Sequence, residues 1–330
     1  MNVLQVHNYY QRAGGEDTVV ANEKALLESR GHRVLQYTRS PAELGEHSKL
    51  SLAASAFWNR ASHEAVRQRV REIQADVVHF HNVFPLVSPS AYYAASGQTA
   101  GKQAAAVVQT LHNYRLQCPQ GLHLRNAKVC ELCAGKPFAW PSVVFGCYRG
   151  SRAGSLTLAA SIAAHRAGGT WSRAIDRYIV LTEFARDRLV RGGLPAERVV
   201  VKPNGLAHDP GGAGQEAAYA LFVGRLSPEK GVDVLLDAWA SHGVDIPLRI
   251  VGSGPESDRV EAAAGQHARI TCLGQRGSEE VTELMKAAAM LVLPSRWFEG
   301  LPMTLIEAYA NGLPVVASDI GALAGLVQHG

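Results

Sequence analysis

The chain has 330 residues, 47% of them hydrophobic and 19% charged, with a formal net charge of +4. That composition can bury a large core, and the length points to two domains. The modest, scattered charge leaves no nucleic-acid footprint, and no apolar run reaches the length of a membrane span. The opening MNVLQVHNYY has neither the charged nor the long apolar region of a leader, so a soluble cytoplasmic protein is expected. Its mild basicity suits an anionic ligand, or peripheral contact with anionic lipid at the inner face of a membrane. Five cysteines in such a chain are expected to be thiols or metal ligands rather than disulfides.

Residues 2–7 read as a short apolar strand feeding a helix over 18–30. The loop between them carries Gly14 and Gly15, which let backbone approach a ligand just before a helix start that favours negative charge; a flexible connection explains the same glycines. A second strand follows over 33–38, a less regular segment over 40–55, and a helix over 62–74. The strand at 76–80 ends in His79-Phe80-His81-Asn82. Alternation puts His79 and His81 on one face, where they either look into a cleft or sit as satisfied, half-buried groups. Another buried strand, 104–112, ends at His112.

Residues 115–149 lack periodicity and form a connection far longer than most. They hold Cys118, Cys130, Cys133 and Cys147. Cys130 and Cys133 have metal-ligand spacing, and four thiolates are the count a tetrahedral structural zinc uses. An iron–sulfur cluster, a redox dithiol and unligated thiols are the alternatives. Arg115, Arg125 and Lys128 in the same loop either meet an anionic acceptor or form a solvated rim.

Helices over 155–167 and 183–191 flank a strand at 177–182, and Thr182-Glu183 has the look of a helix cap. A strand at 199–202 leads into Pro203-Asn204-Gly205, and 209–214 has linker composition. The strand at 218–223 runs into Gly224-Arg225-Leu226-Ser227-Pro228-Glu229-Lys230-Gly231. Here Arg225 offers a planar fork and Lys230 a movable point charge, a pairing suited to a diphosphate and also common at solvated turns. After a helix over 232–240, the strand at 248–251 ends in Gly252-Ser253-Gly254, a turn able to pass close to a nucleotide. A strand at 269–273 and a helix over 279–288 follow.

The stretch 290–318 is the most informative. A strand closed by Pro294 gives way to a turn, and Pro302 suits the first turn of a helix ended by Gly312 and Pro314. Glu299 and Glu307 straddle that helix start. The amides of Gly300, Leu301, Met303 and Thr304 would face outward from it, where the helix dipole favours an anion such as phosphate. Ionised carboxylates on either side are acceptors for sugar hydroxyls. The bland alternative is a dipole-stabilised Glu299 and a solvated Glu307, although the apolar neighbours of Glu307 disfavour the latter.

Glu299-x7-Glu307 within FEGLPMTLIEAYANGLPVVAS resembles the Glu-x7-Glu element of retaining glycosyltransferases of family 4, the GT-B class within glycosyl transferases group 1. GRLSPEKG at 224–231 resembles that family's phosphate-binding turn, and KPNG at 202–205 its interdomain hinge. The three fall in the family's order over about 130 residues. The resemblance implies two facing Rossmann-like α/β domains with parallel sheets: an acceptor-side domain over 1–205 with the Cys-rich loop 115–149, and a nucleotide-sugar domain over 206–330. It also implies transfer of a sugar from a nucleoside-diphosphate-sugar (UDP- or GDP-sugar) to a hydroxyl of a glycan or lipid-linked acceptor, with retention, in cell-envelope or capsular polysaccharide assembly.

By the same resemblance Glu299 binds the donor sugar, Glu307 the ribose, and His112 lies beside the sugar. Gly14 and Gly15 contact donor phosphate or acceptor, and Asn204, Arg225, Lys230, Gly252 and Gly254 complete the donor-binding set. No catalytic divalent metal is expected, since cations and helix amides take the leaving diphosphate's charge. Family members normally continue beyond the equivalent of Gly330, so the sequence is expected to be truncated. A non-catalytic sugar-nucleotide-binding protein, an epimerase and a phosphorylase are the alternatives on this fold. Donor binding without turnover would mark the first, and loss of any need for an acceptor the second.

Overall fold

The computed structural model describes residues 1–9, 14–40, 42–43, 49–96, 104–212, 218–241 and 244–329. It separates into two compact units, Met1–Leu122 with Glu131–Pro203, and His123–Cys130 with Asn204–Gly330. In chain order up to residue 203 the elements are β1 (Asn2–Asn8), α1 (Gly15–Ser29), β2 (Arg33–Arg39), α2 (Lys49–Phe57), α3 (Arg60–Ile73), β3 (Val77–Asn82), α4 (Ser90–Ala95), β4 (Ala106–Leu111), β5 (Leu124–Arg125), β6 (Lys128–Val129), α5 (Trp140–Val144), α6 (Arg152–Ala167), α7 (Thr170–Arg173), β7 (Arg177–Val180), α8 (Glu183–Arg191) and β8 (Val199–Val201).

The first unit's sheet is parallel, in the order β2-β1-β3-β4-β7-β8. Its central strands β1 and β3 are buried nearly throughout, the outer β2 and β8 only in part, and Leu4, Val78, Phe80, Val107 and Tyr178 are fully enclosed. Helix starts are set by short polar side chains. Asn59 accepts the Ser62 N–H at 2.9 Å ahead of α3, Ser151 the Gly154 N–H at 3.0 Å ahead of α6, and Thr182 the Ala185 N–H at 3.2 Å ahead of α8. The chain runs from β1 outward to β2 and then returns to β3 on the other side of β1, which makes the β1–β3 boundary a topological switch point. At that boundary Val6 pairs Phe80 while His7 pairs Asn82, so a bulge leaves His81 as the extra residue.

Three local readings change. Helix α1 begins at Gly15, earlier than the apolar pattern indicates, because the Asp17 carboxylate accepts the Gly14 N–H at 3.0 Å and closes the first turn. The segment expected to be irregular after β2 contains α2, while residues 41 and 44–48 lie outside the described residues, as do 10–13 of the first loop and 213–214 of the linker. The long cysteine loop is partly ordered by backbone turns: Asn126 and Ala127, both left-handed (φ 51° and 55°), reverse the chain between the two-residue strands β5 and β6, and α5 follows.

The second unit continues with β9 (Ala220–Val223), a 3-10 turn (Pro228–Lys230), α9 (Val232–Ser241), β10 (Leu248–Val251), α10 (Ser257–Gln266), β11 (Ile270–Gly274), α11 (Ser278–Lys286), β12 (Met290–Leu293), α12 (Met303–Ala310), β13 (Val315–Ala317) and α13 (Leu323–Leu326). Its parallel sheet runs β11-β10-β9-β12-β13, so the switch point lies between β9 and β12. Phe222, Leu226, Val232, Leu235, Ile250 and Val260 form the core on one face, each contributing about 1.5–3 kcal/mol by burial.

Candidate functional site

Both turns that leave the second unit's switch point carry charge. After β9, the chain bends at Ser227 and closes at Gly231 (φ +70°), where a Cβ would stand 1.8 Å from the Pro294 carbonyl oxygen. Only glycine lets the two turns approach this closely. The approach brings Lys230 Nζ to 2.6 Å from Glu299 Oε1, and the Ser295 hydroxyl donates to the same oxygen at 2.7 Å. Glu299 is buried, and the Lys230 ammonium also lies 5.5 Å from the centre of the Trp297 ring.

Arg225 is paired within its own turn, its guanidinium donating to Glu229 and, at 3.3 Å through Nε, to the Ser227 hydroxyl. Burial works against ionising Glu229, but the Arg225 charge together with hydrogen bonds from the backbone, Ser227 and Arg225 holds the carboxyl below its usual range. The backbone ties the turns again where the Arg296 N–H donates to the Glu229 carbonyl at 2.9 Å. Both cations named from the sequence are therefore already held by carboxylates. Glu229 and Ser295, which hold Arg225 and Glu299, were missed; the signal available was the acid inside SPEK and the serine closing the β12 turn.

Glu307 sits on the second turn of α12, half-buried, and burial alone raises its pKa. Gly300 and Leu301 precede this helix, Met303 and Thr304 open it, and the Asn204 side-chain amide donates to the Leu301 carbonyl at 3.3 Å. Gly252 and Gly254 have a backbone reason for being glycine. A Cβ would stand 1.9 Å from the Gly224 oxygen at the first and 2.2 Å from the Leu226 oxygen at the second, so both are fixed by the turn after β9 without any ligand.

In the first unit the switch point gathers imidazoles. His79 and His81 do share a face, their ring centres 4.3 Å apart, and His81 stacks on His112 at 5.4 Å. His112, just past β4, meets His81 Nδ1 with its Nε2 at 3.1 Å. Glu23, from α1, completes the group, its Oε2 lying 3.1 Å from His79 Nδ1 and 3.0 Å from His81 Nε2. Burial, then the neighbouring His79, pushes His81 down to about 4, and burial with His81 beside it holds His112 well below the ordinary histidine value. Burial opposes ionisation of Glu23, yet His79 and His81 hold its carboxyl well below the usual range. Gly14 caps α1 with open space where a Cβ would be, and Gly15 is the helix's first residue.

The cysteines are all reduced. Cys118 and Cys133 are buried and Cys147 is half-buried in the first unit, while the half-buried Cys130 falls in the second. Among the described residues, the three side chains whose ligand atoms converge closely enough for one metal ion are Glu23, His79 and His81. The cysteines of the first unit do not form such a group.

Two doubly wound parallel sheets, each with polar groups at the carboxyl ends of its strands, place the molecule among proteins of two Rossmann-like units. The model of Glycosyltransferase Family 4 matches residues 13–209, and that of Glycosyl transferases group 1 matches residues 207–330. The chain belongs to glycosyltransferase family 4.

Among curated relatives, it is 34% identical over 169 residues to an exopolysaccharide phosphotransferase of Streptomyces coelicolor, covering 48% of this chain and 17% of the relative. It is 35% identical over 173 residues to the phosphatidyl-myo-inositol mannosyltransferase of Mycobacterium leprae, covering 48% of this chain and 45% of the relative. The match thus spans less than half the length of each. The solved structure of Anabaena HepE with UDP and glucose superposes over 100% of this chain and 84% of that one, with TM-score 0.60 and 19% identity, a likeness of fold in the GT-B class. No described helix is long and apolar enough to cross a membrane.

Proposed function

We propose that this protein transfers a sugar from a nucleoside-diphosphate-sugar to a hydroxyl acceptor, with retention of configuration, in the assembly of an envelope or capsular glycan. The observation that carries the reading is the Lys230–Glu299 contact at 2.6 Å, made where two turns meet at the second unit's switch point. Glu299 fixes Lys230, so the ammonium is already placed when negative charge builds on the leaving diphosphate, and no reorganisation is needed at that moment. Arg225, steadied by Glu229, supplies a second cation, and the amides of Gly300, Leu301, Met303 and Thr304 supply neutral donors at the start of α12.

Glu299, as an acceptor-only carboxylate, takes a hydroxyl of the donor sugar, and Glu307 takes the ribose. His112 is the first unit's contribution beside the sugar. HepE was crystallised with UDP and glucose, which makes UDP-glucose the first donor to try; a glycan or lipid-linked hydroxyl is the acceptor class. The test is thermal-shift binding of UDP-, GDP- and ADP-sugars to the protein and to Glu307→Ala. A shift with one donor, lost in the variant, is expected; equal shifts in both proteins would remove Glu307 from the ribose.

A further inference from the structure

We propose that Glu23 Oε2, His79 Nδ1 and His81 Nε2 bind one divalent metal ion of the zinc class. The site lies within the first unit and does not depend on the reading given to the donor groups of the second. It is built where α1 passes the bulged end of β3.

The two imidazole nitrogens lie 3.1 and 3.0 Å from the same carboxylate oxygen. Zinc bonds to nitrogen and oxygen of about 2.0–2.2 Å in a tetrahedron set ligand atoms about 3.3 Å apart, close to the spacing already present. His81 Nε2 is buried and, although Glu23 Oε2 is near, has no hydrogen-bond partner. A proton on that nitrogen is out of line for a hydrogen bond to the carboxylate, and a lone pair there, which points the same way, meets no donor. Either state leaves a buried polar atom unsatisfied, at a cost of about 1–3 kcal/mol. An ion held between the three atoms removes the conflict.

The far side of each ring is arranged as metal-binding histidines require. His79 Nε2 meets the Thr110 hydroxyl at 2.7 Å, and His81 Nδ1 meets His112 Nε2 at 3.1 Å. With both outer nitrogens donating, the tautomers leave His79 Nδ1 and His81 Nε2 as the ligating atoms. Glu23 Oε1 is kept by Lys202 Nζ at 3.4 Å, which leaves Oε2 as the single carboxylate ligand, and the Gln5 amide approaches Oε2 at 3.4 Å. Two nitrogens and one oxygen suit zinc and leave room for a water as fourth ligand. An ion here would fix His81 and, through it, the orientation of His112.

The full chain in reducing buffer, stripped with chelator, is titrated with Co²⁺ and then Zn²⁺. Expected is one equivalent of Co²⁺ with tetrahedral visible bands, no thiolate charge-transfer band, and displacement by Zn²⁺. His79→Ala and His81→Ala should weaken binding by about 100-fold or more, Glu23→Gln by at least tenfold, and Thr110→Val by about 10–100-fold. Cys130→Ser should leave it unchanged. The proposal falls if the wild-type chain takes up no stoichiometric ion at micromolar metal, a result independent of whether any variant folds. It also falls if binding survives both histidine variants, or is lost in Cys130→Ser.

Discussion

The two switch points hold charge in opposite ways. In the second unit each cation meets a carboxylate on a neighbouring turn or within its own, Lys230 with Glu299 and Arg225 with Glu229. In the first, stacked imidazoles crowd one carboxylate, and burial keeps His81 and His112 uncharged near neutral pH. Opposite charges brought together by two turns hold each other in place. Imidazoles brought together by one sheet face suppress each other's charge, and so suit hydrogen bonding or metal binding instead. The same parallel-strand scaffold thus builds an ionic site or a neutral one, according to which side chains end its strands.

The sharpest way to break the second arrangement is through the backbone that permits it. Gly231→Ala places a Cβ against the Pro294 oxygen at a left-handed residue, so the turns must part. Loss of about 3 kcal/mol or more in urea unfolding is expected, with donor binding lost as well. Unchanged stability would mean that the turns separate at little cost. Next comes Lys230→Met. It leaves Glu299 buried beside Ser295 without its cation, an expected loss of about 3–5 kcal/mol. The measurement is the same unfolding curve, and Lys230→Met paired with Glu299→Met should recover part of the loss.

Two carboxylates then separate the effects of pairing and burial. Glu229 has a depressed folded pKa, so it adds stability above the unfolded carboxyl value that is lost as pH falls through the folded one. Glu307 has a raised folded pKa, so its ionisation costs stability once pH rises above the unfolded value, and the cost persists at neutral pH. Glu229→Gln should therefore lower the melting temperature at pH 7. Glu307→Gln should leave it equal or raise it slightly, within about 0.5 kcal/mol, and flatten its fall from acid to neutral pH. Opposite signs at pH 7 check the comparison; equal losses would contradict it.

Much of the fold was legible because parallel strands buried on both faces write continuous apolar runs, and the turns between them write glycine and proline. Arg225, Lys230, Glu299 and Glu307 stood out because their motifs are local. Glu23 did not: it lies in the middle of α1, more than fifty residues before the histidines it meets, and nothing in its own helix marks it. The bulge at His81 was equally silent, since register shifts arise from pairing between strands. Gly252 and Gly254 were visible as a turn able to pass close to a nucleotide, while the close approach of the turn after β9, which also demands glycine there, was not. The β5–β6 hairpin escaped notice because its turn is Asn126-Ala127, without the glycine that usually signals two left-handed residues.

Lys230 is held by Glu299 at 2.6 Å, in the place proposed for a diphosphate. Calorimetric titration of UDP and UDP-glucose into the wild-type chain and into Lys230→Ala, each first shown to be folded by circular dichroism, tests this directly. Saturable binding to the wild type, weakened by tenfold or more in the variant for both ligands, is the predicted result. Equal affinity in the two proteins would contradict the phosphate role of Lys230.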